Sequence, residues 1–199
     1  MTSLHHASGV HPVIGVDAGT ATLREADHLI HELLGRLALT EGVFACSHLH
    51  RTDERRGTAV SLAVPDPDMV WQELLEGLPE GTGLVLGDRA HGPGDAVDTA
   101  RRAAGAPPAS GRAVVYPGVE HLTGTVTAAA VLDHSAIERL VVLGAPAAEL
   151  PPATQVLTQG HVRPEWRDGV LTLVLVPAAG GLLAPFEVPN PTPCCADHP

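Results

Sequence analysis

The stretch GVFACSHLHRTDERRGTAVSLAV, residues 42–64, decides the fold that the sequence predicts. Its two ends, GVFACSHLH (42–50) and GTAVSLAV (57–64), are apolar runs of strand length with β-branched and aromatic residues. The charged segment RTDERRG between them is typical of a turn. The stretch therefore predicts a β-hairpin, in which two strands follow one another without an intervening helix.

Helical periodicity flanks the hairpin on both sides. Before it, apolar residues recur at helical spacing between residues 24 and 37 and form one stripe. After it, PDPDMVWQELLEGL begins with proline and acidic residues, as the first turn of a helix does. Apolar runs of strand length at residues 12–16 and 83–87 lie outside the two helices. The order is β-α-β-β-α-β, which predicts a ferredoxin-like unit, a four-stranded antiparallel sheet with two helices on one face.

The chain changes character after residue 105. An alanine-rich helix is predicted at 94–104, and APPASG (106–111) has the composition of a linker. The Asp-Gly pair of WRDGVL predicts a tight turn, and the capping-box spacing of Ser135 and Glu138 predicts one helical turn. The segments predicted as strands are RAVVYPG, GTVTAAAVL, ERLVVLGAP, TQVLTQG, GVLTLVLV and LLAPFEV.

These patterns predict an α/β (α+β) protein with four parts. They are a ferredoxin-like unit over residues 1–105, a linker over 106–111, a strand-rich unit over 112–188 and a proline-rich tail over 189–199. A doubly wound sheet is the alternative, because further α/β material follows the first unit.

Charge and composition exclude several classes of function. The formal net charge is −11, and all 12 basic residues are arginine, so phosphate backbones and anionic membrane surfaces are unfavourable partners. The absence of lysine excludes Schiff-base chemistry and the P-loop lysine. No apolar run is long enough to span a bilayer, and the first residues lack a signal peptide. We therefore expect a cytoplasmic protein with neither a nucleic-acid nor a membrane partner.

The first strand of the hairpin carries candidate metal ligands. Because side chains alternate along a strand, Cys46, His48 and His50 fall on one face. Two histidines separated by one residue on a strand can direct both imidazoles at one zinc ion. The alternative is a polar outer face of the sheet with one buried cysteine.

The C-terminus, VPNPTPCCADHP, supplies a second set of candidate ligands. Alternating prolines favour an extended, semi-rigid arm that presents Cys194, Cys195 and His198. Neighbouring thiolates suit a soft or borderline ion, Zn or Cu. The paired cysteines resemble the tail of mercuric reductases, in the dipeptide and its terminal position only. We expect the tail to complete a metal site with Cys46, His48 and His50; thiol redox chemistry, a docking site for a protein partner and an inert tail are the alternatives.

The segment LGDRAHGPGD, residues 86–95, is the basis of a second hypothesis. It is glycine-rich, lies between a predicted strand and a predicted helix, and carries Asp88 and His91. These two residues are the candidate catalytic residues of a metal-free small-molecule α/β enzyme. The sequence thus predicts a metal-binding protein or a metal-dependent accessory enzyme, with this enzyme and a non-catalytic interaction protein as alternatives.

Overall fold

A computed structural model describes residues 12–51, 56–146 and 149–189. The described part is a strand-rich α/β fold with four α-helices and twelve strands, which join in one mostly antiparallel sheet. It divides into two compact units. The first comprises the described residues up to Val43 and those from Leu49 to Gly105, and the second comprises Phe44–His48 and the described residues from Ala106 onward.

The elements have the following bounds. The helices are α1 (Leu23–Arg36), α2 (Pro67–Gly77), α3 (Gly94–Ala104) and α4 (Ala128–His134). The strands are β1 (Val13–Asp17), β2 (Phe44–Arg51), β3 (Arg56–Ala63), β4 (Gly83–Leu86), β5 (Arg89–His91), β6 (Arg112–Val115), β7 (Thr125–Thr127), β8 (Arg139–Val142), β9 (Gln155–Leu157), β10 (Glu165–Arg167), β11 (Val170–Pro177) and β12 (Leu183–Pro185).

The helices predicted on either side of the hairpin begin with side-chain caps. Thr22 and Glu25 form a capping box at the start of α1, with the Glu25 amide donating to Thr22 Oγ1 over 3.2 Å. Asp66 caps α2 by accepting from the Met69 amide over 3.0 Å, and Pro67 occupies the first turn. Both helices therefore begin where local chemistry satisfies free amide groups.

In the first unit, β1 is the central strand. It pairs antiparallel with β3 on one side and with β4 on the other, and β2 is the next strand beyond β3. Asp17 ends β1 in an Asx-type turn, since its Oδ1 accepts from the Gly19 amide over 3.0 Å. Ile14, Val16, Leu62 and Leu84 are buried around this centre.

Helix α3 lies directly on β1 and β4 because two glycines leave room for it. A Cβ at Gly15 would lie 1.9 Å from the carbonyl oxygen of Ala100, and one at Gly83 would lie 2.2 Å from the carbonyl carbon of Ala96. Leu84, the neighbour of Gly83, lines a cavity with Leu74 of α2. Since adjacent strand residues point to opposite faces, α2 and α3 cover opposite faces of this part of the sheet.

The predicted glycine-rich loop at residues 86–95 is partly strand. Gly87, at φ +58°, and Asp88 form a tight turn, after which β5 pairs antiparallel with β4. A two-residue turn with positive φ matches the twist of paired strands, and glycine adopts it without strain. The stretch is therefore a hairpin followed by the short connection to α3.

The second unit contains β6–β12, and β8 is parallel to β11. The predicted Asp-Gly turn is present: Asp168 and Gly169 have φ of +53° and +76° and join β10 to β11. The buried core of this unit contains Tyr116, Ile137 and several other apolar residues, namely Leu122, Val131, Val156, Val162, Leu171, Leu173 and Leu175.

One segment predicted as a strand is mainly a helix. In GTVTAAAVL only Thr125–Thr127 is strand, and α4 follows it. The Thr127 hydroxyl accepts from the Ala130 amide over 3.1 Å, so a capping threonine followed by three alanines begins a helix there. Ser135 consequently lies at the end of α4 rather than at the start of the predicted helical turn, and its hydroxyl donates to the Val131 carbonyl over 2.7 Å.

Within the three described ranges, none of the helices has the length and apolar character needed to cross a bilayer.

Candidate functional site

The structure places Cys46 and His48 side by side around Gly111. A Cβ built on Gly111 would lie 2.6 Å from His48 Cε1 and 3.3 Å from Cys46 Cβ. Both side chains therefore lie on the same face of β2, and the absence of a side chain at Gly111 gives the His48 ring its place. His50 lies in the first unit, where its Nε2 is 2.8 Å from a Cβ built on Gly57.

Cys46 lies in an apolar environment. Only 1% of its surface is exposed, and it packs in the core with Ala113 and Leu171. A small apolar residue that fills a core position stabilises the fold through its burial. Among the three candidate metal ligands on β2, Cys46 is buried and His50 belongs to the first unit. His48 is partly exposed and belongs to the second unit.

Burial lowers the pKa of the His48 imidazole from 6.5 to about 4. Desolvation disfavours the charged form of a base, and this is the cause here. In the unfolded chain the same ring gains a proton near pH 6.5. Acid therefore favours the unfolded state at this position.

We expect His48 to produce a pH dependence of stability in chelator-treated protein. Its contribution is fully present above pH 6.5 and is lost as the pH falls towards 4, a difference of about 2 kcal/mol after allowance for partial exposure. His48→Gln should flatten urea-unfolding stability over that interval. His121→Gln, at an exposed imidazole, should leave the slope unchanged; an equal slope in wild type and His48→Gln would contradict the assignment.

Sequence reasoning missed a buried ionic cluster centred on Arg112. The guanidinium binds both carboxylate oxygens of Glu187 and also donates to Ser47 Oγ over 3.1 Å. His161 Nε2 lies 3.1 Å from Glu187 Oε1. One arginine thus joins β2 to the residues that immediately precede the proline-rich tail. One feature of the sequence indicates such a cluster: an arginine stands at the start of the apolar strand RAVVY. A charged side chain in a buried strand requires a partner of opposite charge.

The cluster holds Glu187 in its ionised form. Burial by itself raises the pKa of a carboxyl, but hydrogen bonds from Arg112 and His161 outweigh it and keep the pKa of Glu187 below its usual value. The Arg112 side chain is only 8% exposed, so this ion pair is screened far less than one at the surface.

Trp166 lies on the other side of Gly111 from β2. Its amide donates to the Gly111 carbonyl over 2.9 Å, and its ring packs on Phe44 at a centroid distance of 5.4 Å. The indole Nε1–H is buried and has no hydrogen-bond acceptor among the residues that the structure describes. An acceptor supplied from elsewhere would remove the cost of leaving this donor unsatisfied.

Asp88 and His91 have different surroundings in the structure. Asp88 is exposed in the turn between β4 and β5 and does not line the nearby cavity, whereas His91 does. Arg89, between them in sequence, binds the carboxylate of Asp68 and lies 5.1 Å from the centroid of the Trp71 ring. The two residues proposed to act together in catalysis are thus placed in different surroundings.

The described residues do not contain a complete metal site, since no group of three or more His, Cys, Asp or Glu side chains among them could hold an ion. The predicted ligands Cys194, Cys195 and His198 lie outside the described residues. Comparisons with protein-family models, with curated proteins and with solved structures found no match to this chain.

Proposed function

We propose that the protein binds a soft or borderline metal ion, Zn or Cu, at a site shared by the C-terminal tail and β2. The tail would supply Cys194, Cys195 and His198, and the strand would supply His48. Two thiolates and two imidazoles are an established tetrahedral donor set for zinc. Cys46 and His50 remain alternative strand ligands; the apolar packing of Cys46 and the first-unit position of His50 favour His48.

The observation that carries this proposal is the link from Ser47 through Arg112 to Glu187. Ser47 is the sequence neighbour of both Cys46 and His48, and Glu187 is two residues from Pro189, where the tail starts. The contacts of Glu187 are therefore made beside the strand that carries the candidate ligands.

Chain length permits the tail to reach His48. Arg112 and Ser47 lie on the opposite face of β2 from Cys46 and His48, so the tail must pass the thickness of the sheet. The seven residues from Glu187 to Cys194 extend at most about 25 Å. Facing layers in proteins are about 10 Å apart, so this span is sufficient.

Trp166 supports the same placement of the tail. A proline-rich arm exposes backbone carbonyls that are not used within the segment, and aromatic surfaces commonly bind such arms. The Trp166 ring packs on Phe44, and the Trp166 amide binds the carbonyl of Gly111, the glycine that the His48 ring also approaches. A carbonyl of the arm would satisfy the indole and bring the cysteines to the imidazole.

The tail cysteines provide the test. Protein expressed without a histidine tag should copurify with about one equivalent of Zn or Cu per chain, measured by elemental analysis. Cys194→Ser/Cys195→Ser should lose that metal and melt at a lower temperature, because a bound ion stabilises the folded state by mass action. Affinity should also weaken at low pH, since thiolates bind in the deprotonated form.

Two controls distinguish the proposed site from other binding. Cys46→Ser should retain the metal, whereas His48→Ala should lose it as the tail variant does. Unchanged metal content in the double serine variant would rule out the tail as a ligand. Loss of metal in the tail variant together with full retention in His48→Ala would leave the ion on the tail alone and would contradict the shared site.

We also propose that the first unit is ferredoxin-like and that the protein acts in the cytoplasm. The neighbour order β4-β1-β3-β2, with β1 antiparallel to both β3 and β4, supports the fold assignment. In this assignment β5 and α3 are additions to the basic unit. The net charge of −11 is compatible with the cytoplasm.

A further inference from the structure

The first unit contains a cavity that the proposed metal site does not use. It has a volume of about 370 Å³ and lies at the edge of the sheet, between the end of α2 and β5. Leu74, Leu78 and Leu84 supply apolar surface, and Thr82, Glu80 and His91 supply polar groups. Pockets of this size, mostly apolar with a few polar groups, are typical sites for small organic molecules.

Close backbone packing holds one side of the cavity in place. Gly92 has a φ of +105°, and a Cβ there would lie 2.0 Å from the Thr82 carbonyl oxygen. The Thr82 amide also donates to the Pro79 carbonyl over 3.2 Å. The segment that carries Thr82 is thus fixed against the connection between β5 and α3, so the cavity exists before any ligand binds.

Thr82 lines this cavity and carries a buried hydroxyl without a partner among the described residues. The residue is 5% exposed. The hydroxyl and methyl groups of threonine exchange places by a rotation about χ1, between staggered rotamers of the side chain. A ligand with a hydrogen-bonding group would therefore give this hydroxyl the partner that it lacks.

The charges around the cavity favour a cation. Glu80 is the one charged side chain among the described residues that line it, and the chain as a whole carries a net charge of −11. The N-terminus of α3, which would otherwise attract an anion, has Asp95 in its first turn. His91 lies directly opposite Leu84 across the strand pair, which places a ring nitrogen donor or acceptor next to the apolar surface.

We infer that the cavity binds an amphipathic organic amine, with its apolar body on the leucines and its ammonium group near Glu80, Thr82 and His91. This binding site is independent of the metal site, because all its residues belong to the first unit.

Three matched probes test the chemistry of the ligand. 2-Phenylethylamine, 2-phenylethanol and 3-phenylpropanoate share a phenyl ring and a short chain but carry a cation, a neutral hydroxyl and an anion. Calorimetry on the full chain should show that the amine binds tightest and the carboxylate weakest. The Kd of the amine should be about three- to fivefold lower than the Kd of the alcohol. Equal binding of all three, tightest binding of the carboxylate, or no binding at millimolar concentration would each overturn the inference.

Two substitutions test the residues. Glu80→Gln should weaken binding of the amine about three- to fivefold and leave binding of the alcohol unchanged. Glu76 is an exposed residue of α2 outside the cavity, so Glu76→Gln should change the affinity for neither probe. Thr82→Val keeps the shape of the side chain and removes an unsatisfied buried hydroxyl. It should therefore raise the melting temperature and lower the affinity for the amine. Unchanged amine affinity in both Glu80→Gln and Thr82→Val would refute the site.

Discussion

Gly15→Ala is expected to lower the free energy of unfolding by about 3 kcal/mol, at the upper end of the usual cost of overpacking. The added Cβ would lie 1.9 Å from the Ala100 carbonyl oxygen and 2.7 Å from its carbonyl carbon. These are backbone atoms of a helix, so no side-chain rotation can relieve the clash. Either α3 moves away from the sheet or β1 bends, and both responses disturb the centre of the first unit.

Gly35→Ala is the matched control. Gly35 lies in α1, and a Cβ there meets no atom within 4 Å. Because alanine favours the helix over glycine, this variant should be neutral or more stable by up to about 0.5–1 kcal/mol. The measurement is the urea midpoint of the two variants against wild type. A Gly15→Ala midpoint within error of wild type would show that α3 does not pack on β1 as closely as the structure has it.

The sequence predicted the elements with strong local patterns. The apolar stripe of residues 24–37, the proline and acidic start of α2 and the Asp168–Gly169 turn are local signals, and the corresponding elements are present. The coarse description, a strand-rich α/β protein, is confirmed. These features depend on backbone propensity, which tertiary contacts reinforce here.

The errors in the prediction have a common physical origin. The alanines after Thr127 could extend a strand or begin a helix, and the Thr127 cap decides between them. The Arg89–His91 segment becomes a strand only because β4 offers it a free edge. In both cases the local sequence allows two structures, and hydrogen bonds select one: the Thr127 cap selects the helix, and pairing with β4 selects the strand.

The candidate sites could be predicted only in part for the same reason. The strand period places Cys46 and His48 on one face, but it does not indicate that Cys46 is buried in a core. Nor does any local pattern connect Arg112 with Glu187, which are 75 residues apart. A buried arginine in a strand signals that a partner exists without identifying it.

Glu187→Gln is expected to destabilise the protein by about 3 kcal/mol, the lower end of the range for breaking a buried ion pair, because Glu187 is 34% exposed. The substitution leaves Arg112, whose side chain is 8% exposed, without its carboxylate. The effect should be largest at neutral pH. A carboxyl whose pKa is lowered by folding stabilises the fold above its unfolded pKa, and this contribution is lost as the pH falls through the folded value.

Glu165→Gln is the control for this cluster, since the Glu165–Arg167 pair is 49% and 47% exposed and should contribute less than about 1 kcal/mol. Arg112→Leu/Glu187→Leu should be less destabilised than Glu187→Gln, because removing both charges leaves neither unpaired. If the cluster also fixes the start of the tail, Glu187→Gln should weaken metal binding while Glu165→Gln does not. Equal losses of unfolding free energy in Glu187→Gln and Glu165→Gln would show that the buried ion pair of Arg112 and Glu187 stabilises the fold no more than an exposed pair does. The contact between β2 and the start of the tail would then contribute little to stability.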